Sequence, residues 1–551
     1  MRARLLPCGD AALLVEVDGI EGVEGVLALM GALRAADPAG VADLVPAART
    51  VLVRVDPGAD IDALRSAVAE IVRDADAAGD GSADSPDVVI PVRYDGPDLD
   101  EVGRQTGLSR SEIIARHTGT RWRAGFVGFA PGFAYLTGGD PRLSVSRRPQ
   151  SRTQVPAGSV ALAGGYSAVY PQASPGGWQL IGRTGTAMWD LGRTPPALVQ
   201  PGSWVRFVDD PDGAAGTGAD AADAAGPVVA DEAPSAADGA SLEVLRTGPL
   251  SAFQDLGRTG CAGLGVGRSG AADRSSFAAA NRLVGNPVGA AAIESVLGGL
   301  VLRALDDVLI AVTGATVPLT MDGDPVEYRT ALGVRAGQVV RLGAPAAGLR
   351  SYLAVRGGFA VAPVLGSRST DTLSGLGPPP LRRGDRLAVR SPADGNQVSL
   401  PPLPDDEPFD MAAAETLPLR VIAGPRDGFF ANAGDLAVGD WVVSPNSNRV
   451  GLRLDRPDGV QPARAPGLRR ADDRELPSEG LVPGAVQVPP GGQPVLFLAD
   501  HPVTGGYPVV AVVCSADLDR AAQARPGRRL TFRFETTRGW VEDGEGPVTD
   551  R

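Results

Sequence analysis

Apolar residues recur at two different spacings near the start of the chain, and each spacing predicts a different element. In residues 20–36 they return every three or four positions, as on one face of an α-helix. The same pattern recurs in residues 60–78 behind Asp60, a suitable helix N-cap. Short apolar runs predict strands at residues 12–17 and 51–55. Two strands and two helices with such connections predict a ferredoxin-like α+β domain over residues 1–80.

From residue 88 to residue 208 the apolar runs become short and are separated by Gly- and Pro-rich corners. One helical segment opens with Ser109 and has Glu112 three positions later, which is the spacing of a capping box. Short strands joined by tight turns predict a closed β-barrel. The following run, residues 209–240, is acidic, consists mainly of small residues and has no arginine, so it predicts a disordered linker.

Beyond this linker the pattern predicts a second half that is almost entirely β. One helix is expected over residues 273–284, ending at Gly285. Residues 241–390 predict a first β-barrel of this half, and residues 415–540 predict a second one after a Pro-rich break. The predicted fold class is therefore mainly β, with an α+β domain at the N-terminus.

Three Gly- and Pro-rich clusters in the first predicted barrel stand out as candidate functional segments. They lie at residues 125–136, 155–165 and 174–184. Glycine permits positive φ and close backbone approach, so such turns can direct several N–H groups at one point. The aromatic residues among them are Phe129, Phe133, Tyr135, Tyr170 and Trp178. This combination predicts a pocket wall, and a barrel core with ordinary corners explains the pattern equally well.

Composition excludes several classes of function. The 551 residues carry a net charge of −13, which argues against nucleic acid or an anionic membrane surface as a partner. No apolar run approaches the roughly 20 residues that span a bilayer, and the N-terminus lacks the apolar stretch of a signal peptide. Three widely spaced cysteines favour a reducing, cytoplasmic location.

The chain contains no lysine, so all of its 52 basic residues are arginines. A P-loop, a protein kinase and a Schiff-base enzyme each need a lysine, as does a covalently bound biotin, so the chain supplies none of these by itself. Two histidines and three scattered cysteines have no zinc-binding spacing, and no metal site is predicted.

The motifs of the first half resemble those of one family. They are residues 128–136 (GFAPGFAYL), 155–160 (VPAGSV), 174–178 (SPGGW) and 182–184 (GRT). The family is called allophanate hydrolase subunit 1, the sporulation-kinase inhibitor family or the 5-oxoprolinase B-subunit. The resemblance implies a cyclophilin-like barrel over residues 88–208, of the carboxyltransferase subdomain C/D type.

The second half resembles the usual companion of that family, called allophanate hydrolase subunit 2, the kinase-inhibitor antagonist or the 5-oxoprolinase C-subunit. The motifs are residues 254–258 (QDLGR), 269–273 (SGAAD), Asn281, 285–286, 366–370 (GSRST) and 504–508 (TGGYP). This resemblance implies carboxyltransferase subdomains of the A/B type. It also implies that two proteins, separate in many bacteria, are fused here.

As a 5-oxoprolinase component, the chain would open the lactam of 5-oxoproline to glutamate, using ATP together with a separate 5-oxoprolinase A-subunit. Such hydrolysis needs a base to activate water and donors for the developing oxyanion. His117 and Asp255 are the candidate bases, while Arg183, Arg258 and the Gly176–Gly177 backbone are candidates for holding phosphate. The predicted substrate-binding residues are Gly132, Phe133, Tyr135, Gly158, Ser159, Gly176, Gly177, Trp178, Arg183, Gln254, Arg258, Asp273, Ser369 and Thr504. His501 departs from the motif of many relatives and is not assigned a catalytic role.

Two other activities stay open at this point. Similar paired domains in urea carboxylase transfer CO₂ from carboxybiotin, and a chain without lysine would then need a biotinylated partner. A non-enzymatic regulator of a histidine kinase is the third alternative, although a permanent fusion of inhibitor and antagonist makes poor regulatory sense. A small amide substrate fits the first two activities, and a homo-oligomer is compatible with all three.

Overall fold

The computed structural model describes residues 2–18, 23–74, 87–211, 239–391, 416–457, 467–472 and 474–535. The predicted linker at 209–240 and the predicted break before residue 415 lie almost entirely outside the described residues. The structure confirms the mainly β fold class with an α+β unit at the N-terminus.

The N-terminal unit is a four-stranded antiparallel sheet with two helices. Its elements are β1 (Arg2–Pro7), β2 (Ala12–Asp18), α1 (Val23–Ala36), β3 (Val41–Pro46), β4 (Thr50–Val55) and α2 (Ile61–Asp74), with sheet order β1-β2-β4-β3. The predicted strands are β2 and β4, whereas β1 and β3 are additional. Asp60 caps α2, since its carboxylate accepts the backbone N–H groups of Asp62 at 2.9 Å and Ala63 at 3.2 Å.

Strands β2 and β4 are mostly apolar because both of their faces are largely buried. Leu13 and Val53 pack with the helices, whereas Leu14 and Leu52 on the opposite face join a core that includes Val512 of the C-terminal barrel. Alternating side chains of one strand therefore serve two cores. The N-terminal unit is thus packed directly onto the far end of the chain.

The first barrel contains seven ring strands and a separate two-stranded side sheet. Its strands are β5 (Val88–Val92), β6 (Trp122–Val127), β7 (Ala134–Thr137), β8 (Arg152–Val155), β9 (Ser159–Ala163), β10 (Tyr166–Val169), β11 (Ser174–Gly176), β12 (Gln179–Arg183) and β13 (Trp204–Asp209). The ring order is β12-β9-β10-β7-β6-β13-β5, and paired backbone bonds of 2.9 Å between Arg93 and Arg183 close it. Strands β8 and β11 form the antiparallel side sheet.

Two helices cover this barrel, α3 (Leu99–Thr106) and α4 (Arg110–Gly119). The predicted capping box is present at α4. Ser109 Oγ accepts the Glu112 N–H at 3.3 Å, and the Glu112 carboxylate accepts the Ser109 N–H at 2.8 Å. Leu99 and Ile113 of these helices join the barrel core around Trp122 and Phe207.

The middle unit consists of two packed sheets. Its strands are β14 (Ala240–Thr247), β15 (Leu250–Gln254), β16 (Ala292–Val296), β17 (Leu300–Ala304), β18 (Val308–Thr316), β19 (Leu319–Met321), β20 (Asp324–Pro325), β21 (Ala331–Val334), β22 (Val339–Leu342), β23 (Ala347–Val355) and β24 (Arg386–Ala388). One sheet has the order β20-β19-β22-β17-β14-β24 and the other β15-β16-β23-β18-β21. The predicted helix is present as α5 (Arg274–Leu283), capped by Asp273.

The sequence predicts a barrel for this unit, but within residues 239–391 the two sheets do not join into one hydrogen-bonded ring. Instead, their inner faces share one core, to which Val244 and Leu302 contribute from one sheet and Ile293 and Leu353 from the other. Short strands with apolar inner faces are compatible with either arrangement, which explains the difference.

The C-terminal unit is a closed barrel with a short helix, α6 (Leu518–Ala522). Its strands are β25 (Thr416–Ala423), β26 (Trp441–Val443), β27 (Gly451–Asp455), β28 (Glu479–Gly480), β29 (Ala485–Gln487), β30 (Val495–Phe497), β31 (Thr504–Gly505), β32 (Val509–Val513) and β33 (Arg529–Phe534). The ring order is β25-β32-β29-β30-β27-β26-β33, and β28 and β31 form a two-stranded side sheet.

The two barrels have the same topology, strand by strand. Each begins with a strand that pairs in parallel with the last strand. In each, the fourth and seventh strands along the chain form the side sheet. The first residue of the second ring strand is a tryptophan in both, and its indole N–H donates to the carbonyl five residues earlier. This bond joins Trp122 to His117 at 3.1 Å and Trp441 to Leu436 at 2.8 Å. The barrels are therefore structural duplicates.

Candidate functional site

Four loops from different units meet where the two halves of the chain pack together, and we call this place the junction. Its loops are residues 128–133, 256–270, 364–373 and 499–507. The Gly132 N–H donates to the Leu264 carbonyl at 3.1 Å, which joins the first barrel to the middle unit. Thr504 of the last barrel lies against Gly128, where an added Cβ would come within 2.0 Å of the Thr504 hydroxyl oxygen. The motifs of both halves thus form one assembly.

Phe129 lies in the junction in a conformation that a phenylalanine rarely adopts. Its φ is +68°, and 40% of its surface is exposed. Its ring packs edge-on against Phe133 at 5.2 Å and Tyr170 at 6.4 Å between centroids. Backbone strain combined with an exposed aromatic side chain is typical of functional loops. Phe129 was not among the predicted binding residues, although its position between two glycines of the motif is a signal for it.

The other aromatic residues of the motif are packed against one another. Phe133, Tyr135, Tyr170 and Trp178 are all buried, and Trp178 contacts Phe133 at 5.5 Å and Tyr135 at 5.6 Å between centroids. Burial raises the pKa of Tyr135 to about 12, so its hydroxyl stays protonated. Of the two alternatives left open above, the barrel core accounts for most of these rings, and Phe129 is the one that faces solvent.

The predicted glycines shape this barrel. Gly158 has a φ of +77°, and its N–H already donates to the Tyr170 carbonyl at 2.8 Å. A Cβ on Gly176 would lie 2.3 Å from the Tyr170 hydroxyl oxygen, so only glycine fits there. Gly177 uses its carbonyl to accept the Arg148 N–H at 2.8 Å, and Ser159 is buried in β9.

His117, a predicted base, is part of the first barrel's core. It has no exposed surface, stacks on Phe207 at 4.3 Å, and both of its ring nitrogens are bonded: Nδ1 to Tyr94 Oη at 2.7 Å and Nε2 to Ser167 Oγ at 2.9 Å. Burial lowers the pKa of His117 to about 3. This geometry corrects the prediction, because a base must reach the proton that it abstracts.

Asp255, the other predicted base, organises a loop instead. Its carboxylate accepts the Ser367 and Ser369 hydroxyls at 2.6 Å each and the backbone N–H groups of Gly257 at 2.8 Å and Arg368 at 2.6 Å. Burial raises the pKa of Asp255, but these bonds outweigh it and hold the pKa below its ordinary value. Four bonds to a buried carboxylate leave little capacity for substrate, so the geometry argues against a base here.

The remaining predicted residues of the second half surround this loop. Gln254 donates to the Thr370 carbonyl at 3.0 Å. Arg258 is buried and donates to the Val364 carbonyl at 3.1 Å and the Ser369 carbonyl at 2.5 Å. Asp273 caps α5, and burial together with the nearby charge of Asp519 raises its pKa to about 6. Arg183 lies apart from them at the closure of the first barrel, where it is paired with Asp95 at 2.9 Å.

A buried arginine that sequence reasoning missed connects the middle unit to the last barrel. Arg449 is paired with Asp500 at 2.9 Å and with Glu294, and it donates to the Gly270 carbonyl at 2.6 Å. Asp500 in turn accepts the Ser269 hydroxyl at 2.7 Å. Burial lowers the pKa of Arg449, but the two carboxylates raise it well above its ordinary value. The pairs were not visible in sequence because their members are far apart along the chain.

Three further arginines place positive charge beside the junction. Arg268 and Arg274 both donate to the Leu256 carbonyl, at 3.3 and 2.9 Å. Arg54 lies near them, and burial together with the charge of neighbouring arginines lowers the pKa of Arg54 and of Arg274 to about 10, although Asp43 opposes this at Arg54. His501 faces Arg54, and its Nε2 has no hydrogen-bond partner among the described residues. Such a group is suited to holding an anion.

Among the described residues no set of three or more His, Cys, Asp or Glu side chains is arranged to hold a metal ion. The described helices include none with the length and apolarity needed to cross a membrane.

The chain is similar to proteins with carboxyltransferase domains. Residues 3–199 match the family described as carboxyltransferase domain, subdomain C and D, and residues 264–534 match the family described as carboxyltransferase domain, subdomain A and B. The second half is 36% identical to the 5-oxoprolinase C-subunit of Escherichia coli K12 over 307 residues, which is 53% of this chain and 90% of that protein.

Part of the first half is 43% identical to the 5-oxoprolinase B-subunit of Escherichia coli O157:H7 over 129 residues, which is 23% of this chain and 59% of that protein. The crystal structure of TTHA0988 superposes with a TM-score of 0.81 at 33% identity, covering 95% of this chain and 99% of that one. A single solved chain thus has both halves in the same arrangement.

Proposed function

The chain belongs to the carboxyltransferase-domain family and carries both subdomain pairs, and on that premise we propose that it is a component of an ATP-dependent 5-oxoprolinase. In this role it opens the lactam of 5-oxoproline to L-glutamate together with a separate 5-oxoprolinase A-subunit. Relatives named as the B- and C-subunits of 5-oxoprolinase match the two halves of the chain and support this choice.

The observation that carries the proposal is the interlocked junction. The Gly128–Thr504 contact and the Gly132–Leu264 hydrogen bond join the motif of the half that resembles the B-subunit to the half that resembles the C-subunit. If the two subunits share one site, fusion keeps both parts at high effective concentration. A shared site also explains why the strained Phe129 lies at this contact rather than elsewhere on the barrel.

Lactam opening imposes definite chemical needs. Water adds to the lactam carbonyl carbon, the C–N bond breaks, and the released nitrogen takes up a proton. ATP supplies the driving force when its γ-phosphate is transferred to the lactam oxygen, which releases ADP. After water has added to the carbon, the phosphate leaves as inorganic phosphate. In this chain Arg268 and Arg274, whose guanidinium groups both donate to the Leu256 carbonyl, are suited to hold such an anionic group together with the nearby Arg54. Arg183 is paired with Asp95, whereas Arg258 donates to two backbone carbonyls through Nε and Nη2 and its buried Nη1 has no partner among the described residues, so Arg258 keeps one donor for such a group.

A second candidate is the carboxyltransferase component of a biotin-dependent urea carboxylase, favoured by the description of the matching families. Because the chain has no lysine, carboxybiotin would have to come from a partner protein. Regulation of a histidine kinase has no comparable support in the geometry.

The two enzymatic candidates are separated by one experiment with two substrates. The purified chain is mixed with ATP and a homologue of the 5-oxoprolinase A-subunit, and glutamate is measured after addition of 5-oxoproline. In parallel, the chain is mixed with a carboxybiotinylated carrier protein, and loss of carboxybiotin is measured after addition of urea. We expect more glutamate than the A-subunit forms without the chain, and no urea-dependent loss of carboxybiotin. The reverse result would replace the first candidate with the second.

A further inference from the structure

A polar cavity of about 840 Å³ opens on the first barrel, and we call it the α3 cleft. It lies between α3 and residues 144–149, and its lining includes Asp98, Arg104, Ser146, Arg147, Arg148 and Gln179. Its volume is within the range of small-molecule sites. None of its residues was singled out by the sequence motifs.

The carboxylates of the α3 cleft are already neutralised. Asp98 accepts Arg148 at 2.9 Å, Arg152 at 2.8 Å and the Leu180 N–H at 2.7 Å. Asp100 is held by Arg110 at 2.7 Å, and Glu101 by Arg104 and Gln105. Arg147, more than half exposed, has only a 3.9 Å contact with Glu475. The cleft therefore has positive charge to spare and favours an anion.

Two buried polar atoms of the cleft lack partners. Gln179 is 1% exposed and donates through Nε2 to the Ser146 carbonyl at 3.0 Å, while its Oε1 has no hydrogen-bond partner among the described residues. The same is true of Arg148 Nε. A buried polar group without a partner is unfavourable, so one acceptor and one charged donor are available to bind a ligand.

The duplicate barrel shows how this place in the fold is used elsewhere in the molecule. Gly96 and Gly424 are equivalent, because each donates to the carbonyl of the neighbouring ring strand, at 3.2 Å to Ile181 and at 2.9 Å to Val510. Two residues further on, Asp98 in the first barrel corresponds to Arg426 in the second.

The charges at this position are inverted between the barrels. Arg426 is bound by Glu479 of its own barrel and by Glu16 at 2.8 Å, a carboxylate that the N-terminal unit brings to it. With the signs reversed, Asp98 and Arg152 correspond to Arg426 and Glu479, and Arg148 pairs with Asp98 as Glu16 pairs with Arg426. The preference of the cleft for an anion therefore rests on its own arginines, Arg147 and Arg148.

We propose that the α3 cleft binds a small carboxylic acid that has an N–H group next to the carboxylate, with the acid on Arg148 and Arg147 and the N–H donated to Gln179 Oε1. This class contains 5-oxoproline and the α-amino acids, among them glutamate. The naming of these two ligands rests on the proposed function, whereas the site itself rests on the geometry of the cleft.

Calorimetric titration of the full chain, without ATP or any other protein, tests the cleft. The ligands are 5-oxoproline, L-glutamate, glutarate, which lacks the N–H, and inorganic phosphate. The variants are Arg148→Gln, Arg147→Gln and Gln179→Leu, and the control is Arg303→Gln, a surface arginine paired with Glu243 at 3.0 Å in the other half.

We expect 5-oxoproline or glutamate to bind more tightly than glutarate. Arg148→Gln should weaken all carboxylates about tenfold or more, whereas Gln179→Leu should weaken only the ligands with an N–H, because that bond alone is lost. Arg147→Gln, at an exposed position, cannot fail by misfolding and should weaken carboxylates too. Arg303→Gln should bind as the wild type does.

Unchanged affinity in the arginine variants would overturn the site, and equal affinity for phosphate and 5-oxoproline would overturn its assignment to an acid with an N–H group. The result is independent of the proposed function, since binding is measured without turnover. Binding of 5-oxoproline without glutamate formation in the assay with the A-subunit would contradict only the enzyme assignment. Glutamate formation without binding in the calorimetric titration would contradict only the cleft.

Discussion

Replacing Arg449 with methionine removes a cation that two buried carboxylates share. Arg449 is 2% exposed and lies between Asp500, at 2.9 Å, and Glu294, and these three side chains connect the last barrel to the middle unit. Methionine keeps much of the side-chain volume but leaves Asp500 buried without its cation and Glu294 with Arg350, at 3.5 Å, as its remaining cation. Breaking such a pair costs about 3–5 kcal/mol, a decrease of roughly 150-fold or more in the folding equilibrium constant.

We call the loss of unfolding free energy in Arg449→Met the deficit. Its pH dependence distinguishes lost charge from lost packing. In the wild type, burial raises the pKa values of Glu294 and Asp500, but Arg449 outweighs it, so both folded pKa values lie below their ordinary values. Their contribution to stability is present above the unfolded pKa values, near 4, and is lost as the pH falls through the folded ones. Without Arg449, burial should raise both folded pKa values, so the variant's deficit should shrink between pH 7 and pH 5.

Denaturant unfolding followed by tryptophan fluorescence measures this deficit at each pH. Adding Asp500→Asn to the variant should recover much of it, because Asp500 is then no longer a buried charge without a cation, whereas Glu294 keeps Arg350 at 3.5 Å. Arg303→Met, which removes an exposed pair, should cost no more than about 0.5 kcal/mol. A deficit of Arg449→Met below about 1 kcal/mol, or one that does not change with pH, would refute the assignment of this cluster as a strong buried ion pair.

The remaining predictions concern the junction and the barrel core. Gly128→Ala should abolish partner-dependent glutamate release, because its Cβ would meet the Thr504 side chain at 2.0 Å, and adding Thr504→Gly should restore the release. Gly165→Ala, with open space around it, is the matched control. Full activity of Gly128→Ala would contradict a shared junction. Phe129→Gly should relieve the strain of the positive φ but remove the ring contacts with Phe133 and Tyr170, and it should lower turnover; unchanged turnover would remove Phe129 from the site. His117→Phe should leave the pH–rate profile unchanged, since the pKa of His117 is about 3, well below the assay range. Between about pH 6.5 and pH 3 only the unfolded histidine takes up a proton, so the wild type loses stability as the pH falls, and His117→Phe should lose less stability over this range. A shifted pH–rate profile would restore His117 as a base.

Much of the fold could be predicted because local patterns carry it. The apolar runs of β2 and β4, the Ser109–Glu112 capping box and the Asp273 cap of α5 each depend on neighbours within a few residues. Strands β1 and β3 were missed because they are the edge strands of their sheet and are less buried, so their apolar runs are short. The duplication of the barrels was invisible as well, since equivalent positions such as Asp98 and Arg426 carry opposite charges.

The candidate site was predicted less completely, and for a physical reason. Glycine motifs mark backbone geometry, so they identified the loops of the junction correctly as special segments. They do not tell which side chains are already satisfied, and His117 and Asp255 turned out to be fully bonded. Arg449 and Glu294 are separated by 155 positions, and only the folded chain brings them together.

The most direct test of the account is whether glutamate formation from 5-oxoproline requires this chain, ATP and the 5-oxoprolinase A-subunit all at once. The A-subunit is held at a fixed concentration, the chain is titrated into it, and glutamate and ADP are both measured. We expect both products to rise with the chain and to reach a plateau when the two proteins are saturated, and we expect omission of any component to abolish glutamate. Glutamate formation that is the same with and without the chain would contradict it.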